Sequence, residues 1–403
     1  MAKTMNLTIN KRTFVPNILF CLSVFMFAFC PTSSNTVIYG LGRTIFIWAI
    51  ASVLVTIYTL SGRINWGRLI LSVGFCMTYM TIVTLLAQNQ FGQYHVSLAR
   101  IAPLVVLLVL FEARNERYPS FKLGLVLLNI FSICCIIWNL GIMLRVPAVQ
   151  QFTYNNYNQY YELALFYSVM QNAKPVMSFG VHTYASFFYF IFFCLCYYTY
   201  EVTEKRRYLL YCIAYLGFTL FLVSTTAILF SAAMFTFLSY KLLKRKKRKD
   251  FAVLLFFLAV VVIILFQNFD FLYGKIYFNM TNGQNSFVSR YAKESVFTEN
   301  AKIISSSLGI GFNILDDANL GYSDSGYVVY LTMGNLPLML YIYRRLYQLL
   351  KFNIADKYFR MIAAVIFSFE FALPASFQQR FPFLIIFVIG YLNSLEAVEK
   401  NGV

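Results

Sequence analysis

The sequence predicts an all-α, polytopic bundle of about twelve membrane helices, and three observations predict it. Of 403 residues, 60% are hydrophobic and 19% aromatic, whereas only 12% are charged; a soluble domain carries about twice that charge. Forty-three Phe and 30 Tyr are more than one globular core hides. The apolar residues also fall in runs near the length that crosses a bilayer. Together these features exclude a soluble enzyme, a disordered chain and a small disulfide scaffold.

The runs cover about 14–30, 44–60, 69–87, 96–111, 123–143, 183–200, 208–224, 225–240, 251–267, 326–343, 358–376 and 381–395. The first follows Lys3, Lys11 and Arg12, with no small-x-small cleavage site after it, so it reads as a membrane helix and not a signal peptide. The fourth is short and holds Pro103. The seventh and eighth meet in a tight hairpin at Ser224-Thr225-Thr226. Only Gln378, Gln379 and Arg380 separate the last two. The whole chain, 1–403, reads as one integral membrane domain.

Charge orients the bundle. The net charge of +17 would suit a nucleic-acid binder, but most of it sits in short connections between apolar runs. That pattern marks cytoplasmic loops and attraction to anionic membrane lipids, not nucleic acid. With the N-terminus inside, one side holds 24 of the 33 Lys and Arg, including the run from Lys241 to Lys249. The other side holds nine, among them Arg145, Lys174, Arg290, Lys293 and Arg380. Both termini are therefore expected in the cytoplasm. The eight cysteines all lie in or beside apolar runs without metal-ligand spacing, and read as packing residues. No metal and no cofactor is expected.

Two long polar loops, 145–182 and 268–325, fall on the outer side, and the inner loops are too short for a nucleotide-binding or kinase domain. No phosphate-binding loop or dinucleotide fingerprint occurs. Chemistry therefore belongs to the outer loops or the bundle interior. In the first loop, Tyr157, Tyr160, Tyr161 and Ala164 recur at helical spacing. They fit either an interfacial helix or a sugar-stacking surface. The same loop ends at Lys174, Pro175, Gly180 and His182, where the breakers deliver a lysine and a histidine to the mouth of the sixth run. The other histidine, His95, reads as structural.

In the second loop, Ser289 is placed to cap a helix over about 290–307. Arg290, Lys293, Glu294, Phe297, Ala301 and Ile304 would share one of its faces. That face suits either a membrane surface or an anion, which arginine holds through its planar fork. Gly309 and Gly311 follow, and a helix stop with a turn explains them. Then comes Ser323-Asp324-Ser325-Gly326-Tyr327. Ser323 or Asp324 would cap the tenth helix; Asp324 would otherwise serve as a base that takes a proton from a sugar hydroxyl. Glu370, an acid inside the eleventh run, is a functional candidate by position, or a hydrogen-bonded structural group. Arg380 adds a phosphate contact at the outer surface.

At these residues the chain resembles the Wzy-type O-antigen and capsule polymerases, relatives of the O-antigen ligases. The overall plan is similar across nearly the whole chain. Lys174-Pro-Val-Met-Ser-Phe-Gly-Val-His182-Thr-Tyr-Ala-Ser186 resembles the element that ends the first large loop. Arg290 through Gly309-Ile-Gly311, then Ser323 to Tyr327 and Gly334, resembles the second loop running into the next helix. The resemblance implies the fold of the C-type membrane glycosyltransferases. It also implies polymerisation of repeat units carried on undecaprenyl pyrophosphate, at the outer face of the bacterial cytoplasmic membrane. Donor and acceptor would both be lipid-linked glycans, no metal would be used, and a flippase and a chain-length regulator would act in the same pathway.

The resemblance places Arg290 on the pyrophosphate. It places Asp324 about where the ligases carry a histidine, and Lys174 where an arginine is frequent. Lys174, Arg145, Lys293, Arg380, Tyr327 and Glu370 are the expected substrate-binding residues; Arg290 with Asp324 or His182 would be catalytic, and Glu370 is the reserve base. A ligase and a lipid-linked oligosaccharide flippase are the competing readings. The departure at Asp324 argues against the first, and the long loops with few charges in the runs argue against the second.

Overall fold

A computed structural model describes residues 65–91, 94–112, 121–153, 174–179, 182–222, 225–267, 296–315, 325–378 and 380–400. The runs expected over 14–30 and 44–60, and the tyrosines of the first loop, lie outside the described residues. Twelve α-helices occur among the described residues. They are α1 (Trp66–Phe91), α2 (Leu98–Phe111), α3 (Phe121–Met143), α4 (Pro147–Thr153), α5 (His182–Thr203), α6 (Arg206–Phe221), α7 (Thr225–Lys244), α8 (Arg248–Gln267), α9 (Val296–Ser306), α10 (Gly326–Asn353), α11 (Asp356–Phe369) and α12 (Phe381–Lys400).

Two short strands, β1 (Tyr94–Val96) and β2 (Asn313–Leu315), pair antiparallel, with His95 opposite Ile314. His95 thus belongs to a strand pair at the backbone level. Every expected run that falls on described residues contains a helix. Five of the helices are long and apolar enough to cross a membrane, within α1, α3, α5, α7 and α12. The 96–111 run splits into the end of β1 and the shorter α2, in which Pro103 lies.

α5 is the hub because it is apolar and aromatic on every side, a composition that suits a helix surrounded by others. Its span is 89% buried, against 28% for α1 and α7. Phe192 stacks on Phe131 of α3 at 4.2 Å and meets Phe387 of α12 at 6.1 Å. Phe190 meets Phe230 of α7 at 5.5 Å, and Phe187 meets Phe369 of α11 at 5.6 Å. Outer helices expose large apolar side chains instead. Ile70, Leu71 and Phe75 of α1 and Ile137 of α3 are examples, and such faces suit hydrocarbon.

The two ends of the bundle differ in charge. At the basic end, Asp250 accepts from Tyr200 and pairs with Arg206 at 3.0 Å, tying α5, α6 and α8. Arg245 pairs with Glu201 at 2.8 Å, and Lys247 with Glu204 at 2.8 Å. The Lys247 hydrogen bond, with its charge, holds the exposed Glu204 carboxyl below the ordinary range. Lys351 pairs with Asp356, and Lys357 with Glu399. Among the described residues, the connections after α5, α7 and α10 meet at this end, where Tyr198 of α5 also reaches the carbonyls of Lys357 and Tyr358.

α10 is broken. Gly334 (φ −149°, ψ 23°) and Asn335 (φ 55°, ψ −164°) leave the helical region, about 12 Å along the helix from its start. Pro337 explains the break. It has no N–H to give, and its ring would strike the carbonyl four residues back, that of Met333. The freed Met333 carbonyl accepts the Gly311 amide at 2.8 Å, and the Thr332 carbonyl accepts Ile310 at 2.8 Å. Tyr79 of α1 closes on the Gly334 carbonyl at 2.8 Å. Irregular backbone within a helical bundle is tolerated where protein groups satisfy it in this way.

Candidate functional site

At the end opposite the basic one, the N-termini of α5, α10 and α12 meet the C-terminus of α11. Pro374 ends α11 as Pro337 breaks α10: its ring excludes a helical carbonyl at Glu370, and the helix stops at Phe369. The α-helix of the run expected over 358–376 is thus Asp356–Phe369, and a 3-10 turn follows at Ala375–Phe377. The Glu370 carbonyl then accepts the Gly326 amide at 2.8 Å and the Ser325 hydroxyl at 3.0 Å. Ser325, and not Ser323 or Asp324, occupies the cap position of α10, and its hydroxyl reaches across to α11 instead of capping its own helix.

Glu370 itself has no exposed surface. Its two carboxyl oxygens accept from the Tyr343 hydroxyl at 2.7 Å and from the Ser376 amide at 2.6 Å. Glycine is required at 326, because a Cβ there would overlap Oε2 of Glu370. Tyr327 donates to the Phe367 carbonyl at 3.0 Å and lies 4.5 Å from the Tyr343 ring. Tyr330 and Ser376 share a hydrogen bond of 3.1 Å. Glu370 therefore stitches α10, α11 and the 375–377 turn, which is the structural alternative weighed for it.

That stitching predicts a graded response. Glu370→Gln is expected to keep near-normal yields of folded protein, since its amide oxygen can accept from Ser376 and its amino group can turn to Tyr343. Glu370→Ala leaves two buried donors unsatisfied at about 1–3 kcal/mol each. Its yield of monodisperse protein on size exclusion should fall sharply; equal yields for both variants would remove the stitch.

A second group lies beside the first. Lys174 to Phe179 form a buried stretch ending in a 3-10 turn, Met177–Phe179. Tyr189 of α5 donates to the Pro175 carbonyl at 2.6 Å, and Phe179 stacks on Phe188 at 4.6 Å. Arg380, just before α12, lays its guanidinium over Phe179 at 5.2 Å and donates to the Ser178 carbonyl at 3.1 Å. Lys174 and Arg380 are only 9% and 7% exposed, unusual for these residue types. His182 opens α5, half-buried, and its carbonyl accepts the Ser186 hydroxyl at 2.8 Å.

Arg145 has an exposed side chain and a left-handed backbone (φ 55°). It ends α3: its amide meets the Ile142 carbonyl at 3.0 Å, and the next amide meets Gly141 at 2.9 Å. This is a left-handed helix cap, a place where glycine is usual.

The structure brings Glu370 and Tyr327 to Tyr343, and it brings Arg380 to the segment that Lys174 opens. Arg290, Lys293 and Asp324 lie outside the described residues. Asp324 directly precedes Ser325, whose hydroxyl is bound to Glu370. The helix expected over 290–307 is seen as Val296–Ser306. Asn335 anchors the end of that helix, donating to the carbonyls of Ile304 at 3.0 Å and Ser307 at 2.9 Å. Asn313 donates to the Thr84 carbonyl at 3.0 Å, and Thr84 accepts the Phe312 amide at 3.0 Å.

Sequence reasoning missed Asn335, Asn313, Thr84, Tyr343 and Ser376. A signal existed for the first, since Gly334-Asn335-Leu336-Pro337 is a strong helix breaker. Among the described residues, no group of three or more His, Cys, Asp or Glu is placed to hold a metal.

Among the described residues, the protein is predominantly helical, five of its helices are long and apolar enough to cross a membrane, and Lys174 and Arg380 are buried. In comparisons with known proteins, no family model, no curated protein and no solved structure matches this chain.

Proposed function

We propose that this chain is a polysaccharide polymerase of the bacterial cytoplasmic membrane. It joins oligosaccharide repeat units carried on undecaprenyl pyrophosphate into O-antigen, capsule or exopolysaccharide. The observation that carries the reading is the burial of Lys174 and Arg380 in one contiguous cluster at the end away from the basic loops. With the basic end in the cytoplasm, that cluster faces outward, where lipid-linked repeat units are joined. Positive charge placed there runs against the bias that governs the rest of the chain, and a phosphate-bearing substrate gives it a purpose.

In the reaction, a hydroxyl of the incoming unit attacks the anomeric carbon of the growing glycan. The bond from that carbon to the pyrophosphate oxygen breaks, and undecaprenyl pyrophosphate leaves with the electron pair. Asp324 or His182 takes the hydroxyl proton, and Glu370 is the reserve. Arg290 meets the charge that develops on the leaving oxygens, with Lys174, Arg380, Arg145 and Lys293 in support. Fixed cations in a partly dehydrated site act more strongly than in water. The Tyr-rich first loop offers ring faces to the sugars, whereas the Tyr327 ring packs on Tyr343 and Phe371.

Arg290→Ala is expected to abolish polymer while folded protein remains in the membrane, and Asp324→Asn to lose turnover with substrate binding largely kept. Full activity in either variant removes that residue from the site. Deleting the gene and sizing surface glycans on a gel tests the function itself. A single repeat unit on the anchor, with the long ladder gone, is the expected result. Polymer stranded on its carrier would instead mark a ligase. Single units trapped at the inner face would mark a flippase.

A further inference from the structure

The basic end holds a pocket that the proposed reaction does not use. It lies between the start of α1, the end of α2 and the last turns of α10, with a volume of about 280 Å³. That is near the lower size of small-ligand clefts, ~300 Å³. Its residues on α10 begin at Arg345, two residues after Tyr343, whose hydroxyl holds Glu370.

The charges of its wall are arranged to leave one cation over. Glu112 is 7% exposed, and its carboxylate is taken up by Arg345 and by the Ser72 hydroxyl at 3.0 Å. That ion pair neutralises itself and fixes the wall. Arg68, on the first turn of α1, lines the same pocket and is exposed. No ion pair of Arg68 occurs among the described residues. Its fork is therefore the net charge of the pocket, with the amides of Asn65 and Gln348 beside it.

The rim is apolar. Phe352, which lines the pocket, is 81% exposed, and Trp66, next to Asn65, is 53% exposed. Trp66 begins a helix fit to cross a membrane, and exposed aromatics at such a helix end sit at headgroup level. A planar cation and exposed aromatic surface at one pocket match a ligand with an anionic head and an apolar stem. Basic pockets between membrane helices hold lipid phosphates by the same chemistry.

We propose that this pocket binds the phosphate ester of an anionic phospholipid, with Arg68 on the phosphate and Phe352 against the glycerol and the first methylenes. The proposal does not depend on the polymerase reading. The test uses delipidated full-length protein in neutral detergent and follows its thermal unfolding. Dioleoyl phosphatidylglycerol is titrated in, with dioleoyl phosphatidylcholine and inorganic phosphate as the other arms.

Phosphatidylglycerol is expected to raise the midpoint, and phosphatidylcholine to leave it nearly unchanged. Arg68→Gln should weaken the phosphatidylglycerol response about tenfold in apparent affinity, the factor that one hydrogen bond to a charged group supplies. Lys249→Gln, which removes an exposed cation elsewhere at the same end, should respond like the wild type. Arg68→Lys, which keeps the charge without the fork, should fall between wild type and Arg68→Gln. An equal response to both lipids, or an undiminished response in Arg68→Gln, overturns the site. An equal, Arg68-dependent response to inorganic phosphate keeps the anion site and overturns the lipid as its source.

Discussion

Gly309→Val should leave little folded protein, with a stability loss of about 3 kcal/mol. Gly309 has φ +109°, and a Cβ there would stand 2.7 Å from the Met333 carbonyl oxygen and 2.8 Å from that of Thr332. The left-handed backbone costs a branched residue about 1–2 kcal/mol, and overpacking adds about 1–3 kcal/mol. Neither carbonyl can retreat cheaply, because both accept the amides that hold the loop to the broken helix. Gly74→Ala is the matched control, since a Cβ on Gly74 meets nothing within 4 Å and alanine favours a helix by roughly 0.5–1 kcal/mol. Thermal unfolding of both variants in detergent checks the pair. An unchanged midpoint for Gly309→Val would mean that the loop does not pack on the break.

Arg380→Ala is expected to slow polymer formation about 100- to 1,000-fold per folded molecule, the range seen when one donor to a developing oxyanion is lost. Arg380 also supports the 174–179 segment through Ser178 and Phe179. Rates must therefore be normalised to monodisperse protein. Arg380→Lys restores charge without the planar fork and should recover part of the rate. A normalised rate equal to wild type in Arg380→Ala would make Arg380 a purely structural clamp.

The helices were legible wherever an apolar run was unbroken, because burial in lipid or in aromatic packing demands such runs. The α5 stretch from Ser186 to Tyr200 is the clearest case, apolar on all sides and buried on all sides. Breaks inside runs were harder. The 326–343 stretch read as one span because hydropathy averages across Gly334 and Asn335, although Pro337 names the carbonyl that must lose its partner. In the same way Pro374 explains why α11 ends at Phe369, just before the Glu370 carbonyl that the α10 amide then takes.

Candidate residues were found by charge in the wrong place. Lys174, Arg380 and Glu370 stand out as ionisable groups in apolar or outward sequence, and all three are buried. Their partners were not legible. Ser178 meets Arg380 across some two hundred residues, and Tyr343 meets Glu370 from another helix. Pairings of that kind come from tertiary packing, and no local pattern carries them. The cap of α10 shows the same limit: a Ser-Asp-Ser sequence announces a helix start, but only the fold turns the Ser325 hydroxyl toward Glu370.

As the proposed polymerase, this protein would itself form the bond between repeat units. Purified protein in liposomes, supplied only with repeat units on undecaprenyl pyrophosphate, tests it most directly. The expected result is a ladder of products spaced by one repeat, with one undecaprenyl pyrophosphate released per bond formed. Units that cross the bilayer unchanged, with no ladder and no released pyrophosphate, would contradict it.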